Sequence, residues 1–446
     1  MTLQSRFEFE SDHIVDSLRP SQPRHCGILT RIVGLTLEAT GIKASVGSVC
    51  RILRGETESE YVDAQVVGFE AGVVYLMPLW GSQGLQAGDK VYVKSEADFA
   101  DVGDALMGRV VGPLGDSLDG KGQIAADTQL SLAGNSINPM QRRPIDRVLD
   151  VGVRAINALL TVGCGQRIGL IAGSGVGKSV LLAMLTKFTS ADVVVIGLIG
   201  ERGREVKEFV ENTLGEDGMR RAIVVAAPAD QSPLLRIRAT HLAHLYAEYY
   251  RSQGKDVLLL LDSLTRVAHA QREIGLAVGE PPTAKGYPPS VFSLLPNLIE
   301  RTGTGRSDEG TVTAMYTLLA EGDDLNDPVV DLARASLDGQ VVLSRSLADS
   351  AHYPAIDLAG SISRLMPIIV EGQSLSFANR FRRLWTLYQQ NQDLIQVGAY
   401  SVGSNKDIDE AIELRPQMEE FLQQPMEELS RMDESLARLS NCLGSE

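Results

Sequence analysis

Arg167-Ile168-Gly169-Leu170-Ile171, then Ala172-Gly173-Ser174-Gly175-Val176-Gly177-Lys178-Ser179, then Val180-Leu181-Leu182-Ala183-Met184-Leu185, is the stretch that decides the fold. The first run reads as a buried strand and the last as the start of a helix. Strand, glycine-rich turn, Lys-Ser and helix in that order form a P-loop. Glycines let backbone N–H groups turn inward into an anion-sized nest. The helix N-terminus adds partial positive charge. The phosphate-binding set runs through Gly173, Ser174, Gly175, Val176, Gly177, Lys178, Ser179 and Val180. Lys178 supplies a mobile cation for β- and γ-phosphates, and Ser179 an oxygen for Mg²⁺. Ala172 stands where the strict pattern has Gly, and a residue that small is expected to fit.

The chain has 446 residues, enough for two or three domains with real cores. Its formal net charge of −15, with no basic block, weighs against nucleic-acid binding, which needs clustered Lys and Arg. The longest apolar runs, Val193–Ile199 and Val257–Leu261, are strand-sized rather than membrane-spanning. The opening Met1-Thr2-Leu3-Gln4-Ser5-Arg6-Phe7-Glu8 lacks a secretory signal pattern. Cys26, Cys50, Cys164 and Cys442 have neither metal nor redox spacing and read as reduced thiols of the cytosol.

Residues 1–24 read as a tail, with Phe7, Ile14 and Leu18 on one face of a short helix that would bind a partner. Residues 25–95 alternate short apolar runs (Ile28–Gly34, Val49–Leu53, Ala64–Phe69, Val73–Met77) with glycine turns, which predicts a small β-barrel. Residues 96–376 hold a connector rich in Gly, Asp and Pro and then the nucleotide-binding core. Its strand candidates are Val193–Ile199, Ala222–Ala227, Val257–Leu261 and Thr311–Leu319. Ser232-Pro233 opens a helix to about Ser252. Alternating strands and helices imply a mainly parallel sheet with its site at the carboxyl ends of the strands. Residues 377–446 read as helical, over Ala378–Asn391, Asp407–Leu414 and Gln417–Leu443. The fold class is therefore α/β: a P-loop core on a mainly parallel sheet, with an N-terminal β-barrel and a C-terminal helical segment.

Asp262 closes the run Val257–Leu261, as a Walker B carboxylate does, and would serve Mg²⁺ opposite Ser179. Ser263 follows it, so the base is not the adjacent Glu that many ring ATPases use. Glu201, at the end of Val193–Gly200, fills that gap, with Arg202 beside it for phosphate; the other reading of Glu201–Glu205 is a surface charge cluster. Further on, Arg364 is a candidate extra cation, beyond the core strands and after a small-residue turn, and Tyr353 is a candidate adenine stacker. Spacing alone favours an exposed Arg and a core Tyr over these two roles. His241 and His244 read as packing or surface residues, not as a metal site.

Taken together, Ala172–Ser179, Gly200–Glu205, Leu261–Arg266 and Tyr353–Arg364 resemble the rotary ATPase α/β superfamily, whose signature is matched by Pro354-Ala355-Ile356-Asp357 with Ser361, Ser363 and Arg364. Gln271–Gly275, Gly279–Pro282 and Gly286–Phe292 are similar to export ATPases of type III secretion systems. Gly173–Leu182, Leu37–Gly41 and Tyr75–Leu79 resemble the flagellar branch more than the virulence branch. Ala351, Gly275 and His269 depart from the family pattern without touching a phosphate or Mg²⁺ group.

The resemblance implies an α/β fold with a RecA-like P-loop ATPase core, an N-terminal β-barrel and a C-terminal helical domain, and ATP hydrolysis with Mg²⁺ at inter-subunit sites of a homohexamer, coupled to export of flagellar proteins. By it, Lys178 binds phosphate, Ser179 and Asp262 serve the metal, and Glu201 activates water. Arg202 assists, Arg364 is the finger offered to a neighbour, and Tyr353 lies by adenine. The implied partners are a stator-like regulator at the tail, a coiled-coil stalk protein, export gate membrane proteins, and export substrates with their chaperones, but no nucleic acid. The implied place is the cytoplasm, peripheral to the inner membrane at the export gate. Competing readings are a catalytic subunit of a rotary ATP synthase, a virulence-system ATPase, a non-catalytic nucleotide-binding scaffold and a RecA-fold helicase.

Overall fold

The computed structural model describes residues 26–55, 60–95, 98–320 and 327–444. The expected tail helix before residue 25 lies outside the described residues. Two compact units divide at Asp98 and Phe99.

The first unit is a closed antiparallel barrel. Around it run Cys26–Val33, Thr36–Thr40, Val73–Pro78, Tyr61–Glu70, Val49–Leu53 and Lys90–Ser95, the last returning to pair with the first. Alternate residues Val62, Ala64 and Val66 are buried, and Ala64 and Val66 join Leu37, Ala39, Ile52 and Leu76 in the barrel core. Period-two patterning thus fills the inside and wets the outside, as the glycine-punctuated runs predict.

The second unit is built on a nine-stranded sheet. Its order is Ile356–Ser363, Gly339–Leu343, Arg167–Ala172, Thr311–Leu319, Asp256–Asp262, Val193–Ile199, Ala222–Ala227 and Val110–Val111, with Gly303–Thr304 beside Thr311–Leu319. All neighbours along this order are parallel except Ile356–Ser363, which runs against Gly339–Leu343. Every residue of Val193–Ile199 and Ala222–Ala227 is buried, because helices cover both faces of a parallel sheet. Helices Pro233–Ser252, Leu264–Ala277 and Pro289–Glu300 cover one face. The P-loop helix Lys178–Phe188 and the C-terminal helices cover the other. The register sets Ala172 beside Leu319 and Asp262 beside Leu198, so the carboxyl ends of the strands finish level on one edge.

Two expectations are corrected. Arg364 does not stand apart from the core strands after a small-residue turn: it directly follows Ile356–Ser363, the antiparallel edge strand of the main sheet. Its Ala-Gly-Ser centre has weak strand propensity, and pairing with Gly339–Leu343 overrides it. Nor is Gln417–Leu443 one helical stretch. The helix Lys406–Leu422 carries Pro416 inside it and stops at Gln423, ahead of Pro425; a separate helix covers Met432–Leu443. The residue before a proline disfavours helical backbone, which breaks the run there. Among the described residues no helix is long and apolar enough to cross a membrane.

Trp385 anchors the C-terminal helices. It is fully buried, stacks on Phe381 at 6.3 Å, and has the Arg415 guanidinium 3.6 Å over its ring. Trp385→Ala is expected to cost about 3–5 kcal/mol in urea unfolding, the usual loss for a buried aromatic.

Candidate active site

The P-loop spans the turn from strand Arg167–Ala172 to helix Lys178–Phe188. Gly175 and Gly177 sit at φ +77° and +87°, a backbone region that side chains other than glycine rarely enter. Gly177 also lies under the Tyr353 ring, where a Cβ would come within 3.3 Å of two ring carbons. Ala172, the departure from the strict motif, is fully buried as the last residue of its strand.

Lys178 Nζ lies 2.5 Å from Asp262 Oδ1 and 3.4 Å from Glu201 Oε1. Parallel pairing produces this meeting: Asp262 ends one strand, and Glu201 follows Gly200 at the end of its neighbour. Gly200, at φ +73°, packs against Arg266, so only glycine lets the chain turn there. Thr317 from the next strand donates to Asp262 Oδ1 at 2.7 Å. Burial pushes the Glu201 carboxyl above the usual carboxylate range; Lys178 opposes this and Asp262 adds to it.

Beside the P-loop is a cavity of about 500 Å³, lined by Gly175, Gly177, Val180, Met184, Tyr353 and Met426 among others. That volume suits a small ligand, and the lining is mostly apolar. Tyr353 is 45% exposed, consistent with a ring that faces a ligand rather than a core. One wall, Gln423–Met426, comes from the segment where the C-terminal helix breaks. That segment is tied down tightly. Gln424 N donates to Tyr353 O at 3.0 Å, and the Gln424 side chain bonds Arg154 N at 2.7 Å and Gly152 O at 2.9 Å. Arg154, itself buried, donates to the carbonyls of Glu420, Phe421 and Gln423 and pairs with Glu428.

The fold therefore gathers Lys178, Glu201 and Asp262 at one point, with Ser179 exposed at the helix start and Tyr353 on the adjoining cavity. It does not gather the two arginines. Arg202 is 80% exposed and pairs with Glu205 at 3.1 Å. Arg364 donates to Leu337 O at 3.1 Å, and its backbone N–H to Asp338 O at 3.0 Å. These partners lie at the amino end of the sheet: Asp338 N in turn donates to Arg167 O at 2.8 Å. Arg167 and Ala172 are the two ends of one strand, about 17 Å apart at the usual rise per residue. His241 and His244 are packing residues. His244 bonds Thr240 O at 2.7 Å and Tyr316 at 3.0 Å, and burial lowers its pKa to about 3.

Reading the sequence alone misses Thr317, Arg266 and Gln423–Met426. Arg266 packs on Gly200, and its buried Nε has no hydrogen-bond partner. Only Arg266 carries a local signal, as the cation four residues after Asp262 on the following helix.

The ATP synthase alpha/beta family nucleotide-binding domain matches residues 152–363, and the T3SS EscN ATPase C-terminal domain matches residues 370–441. The chain is 53% identical over 428 residues to a flagellum-specific ATP synthase of Pseudomonas aeruginosa, covering 95% of this chain and 94% of the relative. It is 51% identical to that of Salmonella typhimurium, covering 93% of each, and 44% identical to a type 3 secretion system ATPase of Xanthomonas euvesicatoria, covering 94% of each. Among solved structures, the assembled ATPase EscN from the enteropathogenic E. coli type III secretion system superposes with a TM-score of 0.87 at 38% identity, covering 94% of this chain and 100% of that one. EscN in complex with its central stalk EscO gives 0.86 at 37% identity, with the same coverage.

A carboxyl whose pKa is raised on folding favours the folded state while protonated, and that contribution is lost as pH rises through the raised value. Glu201→Gln, fixed in a neutral form, is therefore expected to raise the melting temperature at pH 8, with the difference vanishing near pH 4. Equal melting temperatures at both pH values would remove the burial effect.

Proposed function

Because this chain belongs to the family of the flagellum-specific ATP synthases, we propose that it hydrolyses ATP to power flagellar protein export through a type III apparatus, at sites shared between subunits of a homohexameric ring. The observation that carries this is the meeting of Lys178, Glu201 and Asp262 at the mouth of the P-loop. The higher identity to flagellar relatives than to the virulence-type relative supports the flagellar assignment.

In the ligand-free chain the Lys178 ammonium balances two carboxylates. A bound triphosphate takes over that cation, with the nest of Gly173–Gly177 N–H groups around its phosphates. Val180, Tyr353 and Met426 line the adjoining cavity, with Tyr353 against adenine. The Ser179 hydroxyl and the Asp262 carboxylate are hard oxygen donors of the kind Mg²⁺ takes, and they would hold it. Bound Mg²⁺ neutralises charge on the phosphate oxygens. Released from Lys178, Glu201 is free to accept a proton from water, and its raised affinity for protons suits a base working near neutral pH. The water oxygen attacks the γ-phosphorus, the bond to ADP breaks, and the proton stays on Glu201. Besides Lys178, Arg266 is the cation that acts on that carboxylate, and Arg202 is the one next to it in sequence; Arg266 assists at the γ-phosphate, and Arg202 does so once it leaves Glu205.

Arg364 stands at the far end of its own sheet, so it serves the site of a neighbouring copy. The ring follows from this division. EscN has been solved with a central stalk, which supports a coiled-coil stalk partner here. The remaining partners are a stator-like regulator at the N-terminal tail, the membrane proteins of the export gate, and export substrates with their chaperones. The site of action is the cytoplasmic face of the inner membrane.

Turnover per chain is expected to rise steeply with protein concentration, as self-assembly completes each site. Lys178→Ala is expected to abolish phosphate release and weaken nucleotide binding. Glu201→Gln should bind fluorescent nucleotide normally but lose about 10²–10⁴-fold in kcat; near-normal turnover would sink the base assignment. Arg364→Ala should lose about 10³-fold or more. Rings mixed from Arg364→Ala and Glu201→Gln chains should regain activity, since each contributes the half the other lacks. No recovery at any mixing ratio would remove the shared site.

A further inference from the structure

Arg364 is joined to its own subunit's P-loop strand by a short relay whose central members, Gln166 and Ser363, are buried. Gln166, the residue just before strand Arg167–Ala172, is wholly inaccessible to solvent. Its side-chain oxygen accepts from Gly163 N at 2.8 Å, which leaves its amide nitrogen as donor. That nitrogen donates to Ser363 Oγ at 3.0 Å and to Asp338 O at 3.3 Å. The buried Ser363 hydroxyl spends its proton on Thr161 O at 2.7 Å, so its lone pairs face Gln166. Asp338 closes the loop. Its Oδ2 accepts from Arg167 N at 3.0 Å, its N–H donates to Arg167 O at 2.8 Å, and its carbonyl accepts from Arg364 N at 3.0 Å. Each donated hydrogen in the relay has one acceptor, the two on the Gln166 amide going to Ser363 and Asp338, so the geometry has a single solution. The neighbouring Ser361 does different work: it donates to Asp357 O at 2.5 Å and accepts from Val342 N at 2.9 Å, both within the edge hairpin. Of these two serines, only Ser363 crosses to the P-loop strand.

We propose that Gln166 and Ser363 are positioning residues that lock the arginine offered to the neighbouring site onto the base of the strand that carries the subunit's own P-loop. This rests on the reading that Arg364 acts in a neighbour's site. A displacement of the P-loop strand in one subunit then moves the arginine presented to the next, and the relay carries one site's occupancy to its neighbour.

The test uses full-length rings of mixed composition. Ser363→Ala alone should lower kcat about 10–100-fold, the cost of a misplaced group, with nucleotide Kd unchanged. Ser363→Thr, which keeps the oxygen, should restore it. The defect must be directional. Mixed with Glu201→Gln chains, whose Arg364 is intact, Ser363→Ala chains should regain turnover. Mixed with Arg364→Ala chains, which need a good arginine from the partner, they should not. Gln166→Met, which keeps the length and removes both amide bonds, must give the same pattern and stands in if Ser363→Ala does not fold. Recovery with both partners, or with neither, would overturn the proposal. If the control mixture of Arg364→Ala with Glu201→Gln shows no recovery, the reading of Arg364 itself has failed, and the relay falls with it.

Discussion

One ammonium between two carboxylates sets the electrostatics of this molecule. Lys178 stands 2.5 Å from Asp262 and 3.4 Å from Glu201, all three largely out of water. Two buried carboxylates without that cation would repel each other, and each would cost several kcal/mol in desolvation. The arrangement is stable without a ligand, yet its cation is the one a triphosphate needs. Binding and charge balance therefore compete for one group. In the proposed mechanism that competition would free Glu201, whose burial already raises its affinity for protons.

The C-terminal helices belong to the site as much as to the scaffold. Their core is continuous with that of the P-loop helix, from Leu181 and Met184 through Phe381, Trp385 and Phe421. The break after Leu422 places Gln423–Met426 against the cavity that Tyr353 borders. Arg154 and Gln424 hold that segment with buried hydrogen bonds across more than 260 residues of sequence. Repositioning of the helices would reshape the cavity wall, and a ligand in the cavity would bear on the helices. A partner touching the helical end thus has a physical path to the cavity wall.

A parallel sheet has two unlike ends, and this chain uses both. The carboxyl ends carry Lys178, Glu201 and Asp262; the amino end carries Arg364, held by Asp338 and Leu337 carbonyls. About 17 Å of strand separates the two ends, too far for one side chain to bridge. The proposed sharing of sites between copies accounts for both ends: the carboxyl end of one chain would take its arginine from the amino end of the next.

What the sequence by itself determined is what depends on near neighbours. Ala172–Ser179 needs only its own glycines and flanking runs to form an anion nest, and Val193–Ile199, Ala222–Ala227 and Pro233–Ser252 follow from apolar continuity and a Ser-Pro cap. Lys178, Glu201 and Asp262 were legible because each ends or begins such a run. Tyr353 and Arg364 rested on family resemblance, since their surroundings are assembled from afar. Only the tertiary structure made Ile356–Ser363 a strand, because its weak Ala-Gly-Ser centre forms one by pairing with Gly339–Leu343. Only it brought Thr317 to Asp262 across 55 residues and Gln166 to Ser363 across 197. Hydrogen bonds between residues so far apart leave no periodic trace in the chain; they exist only once the sheet has set its register.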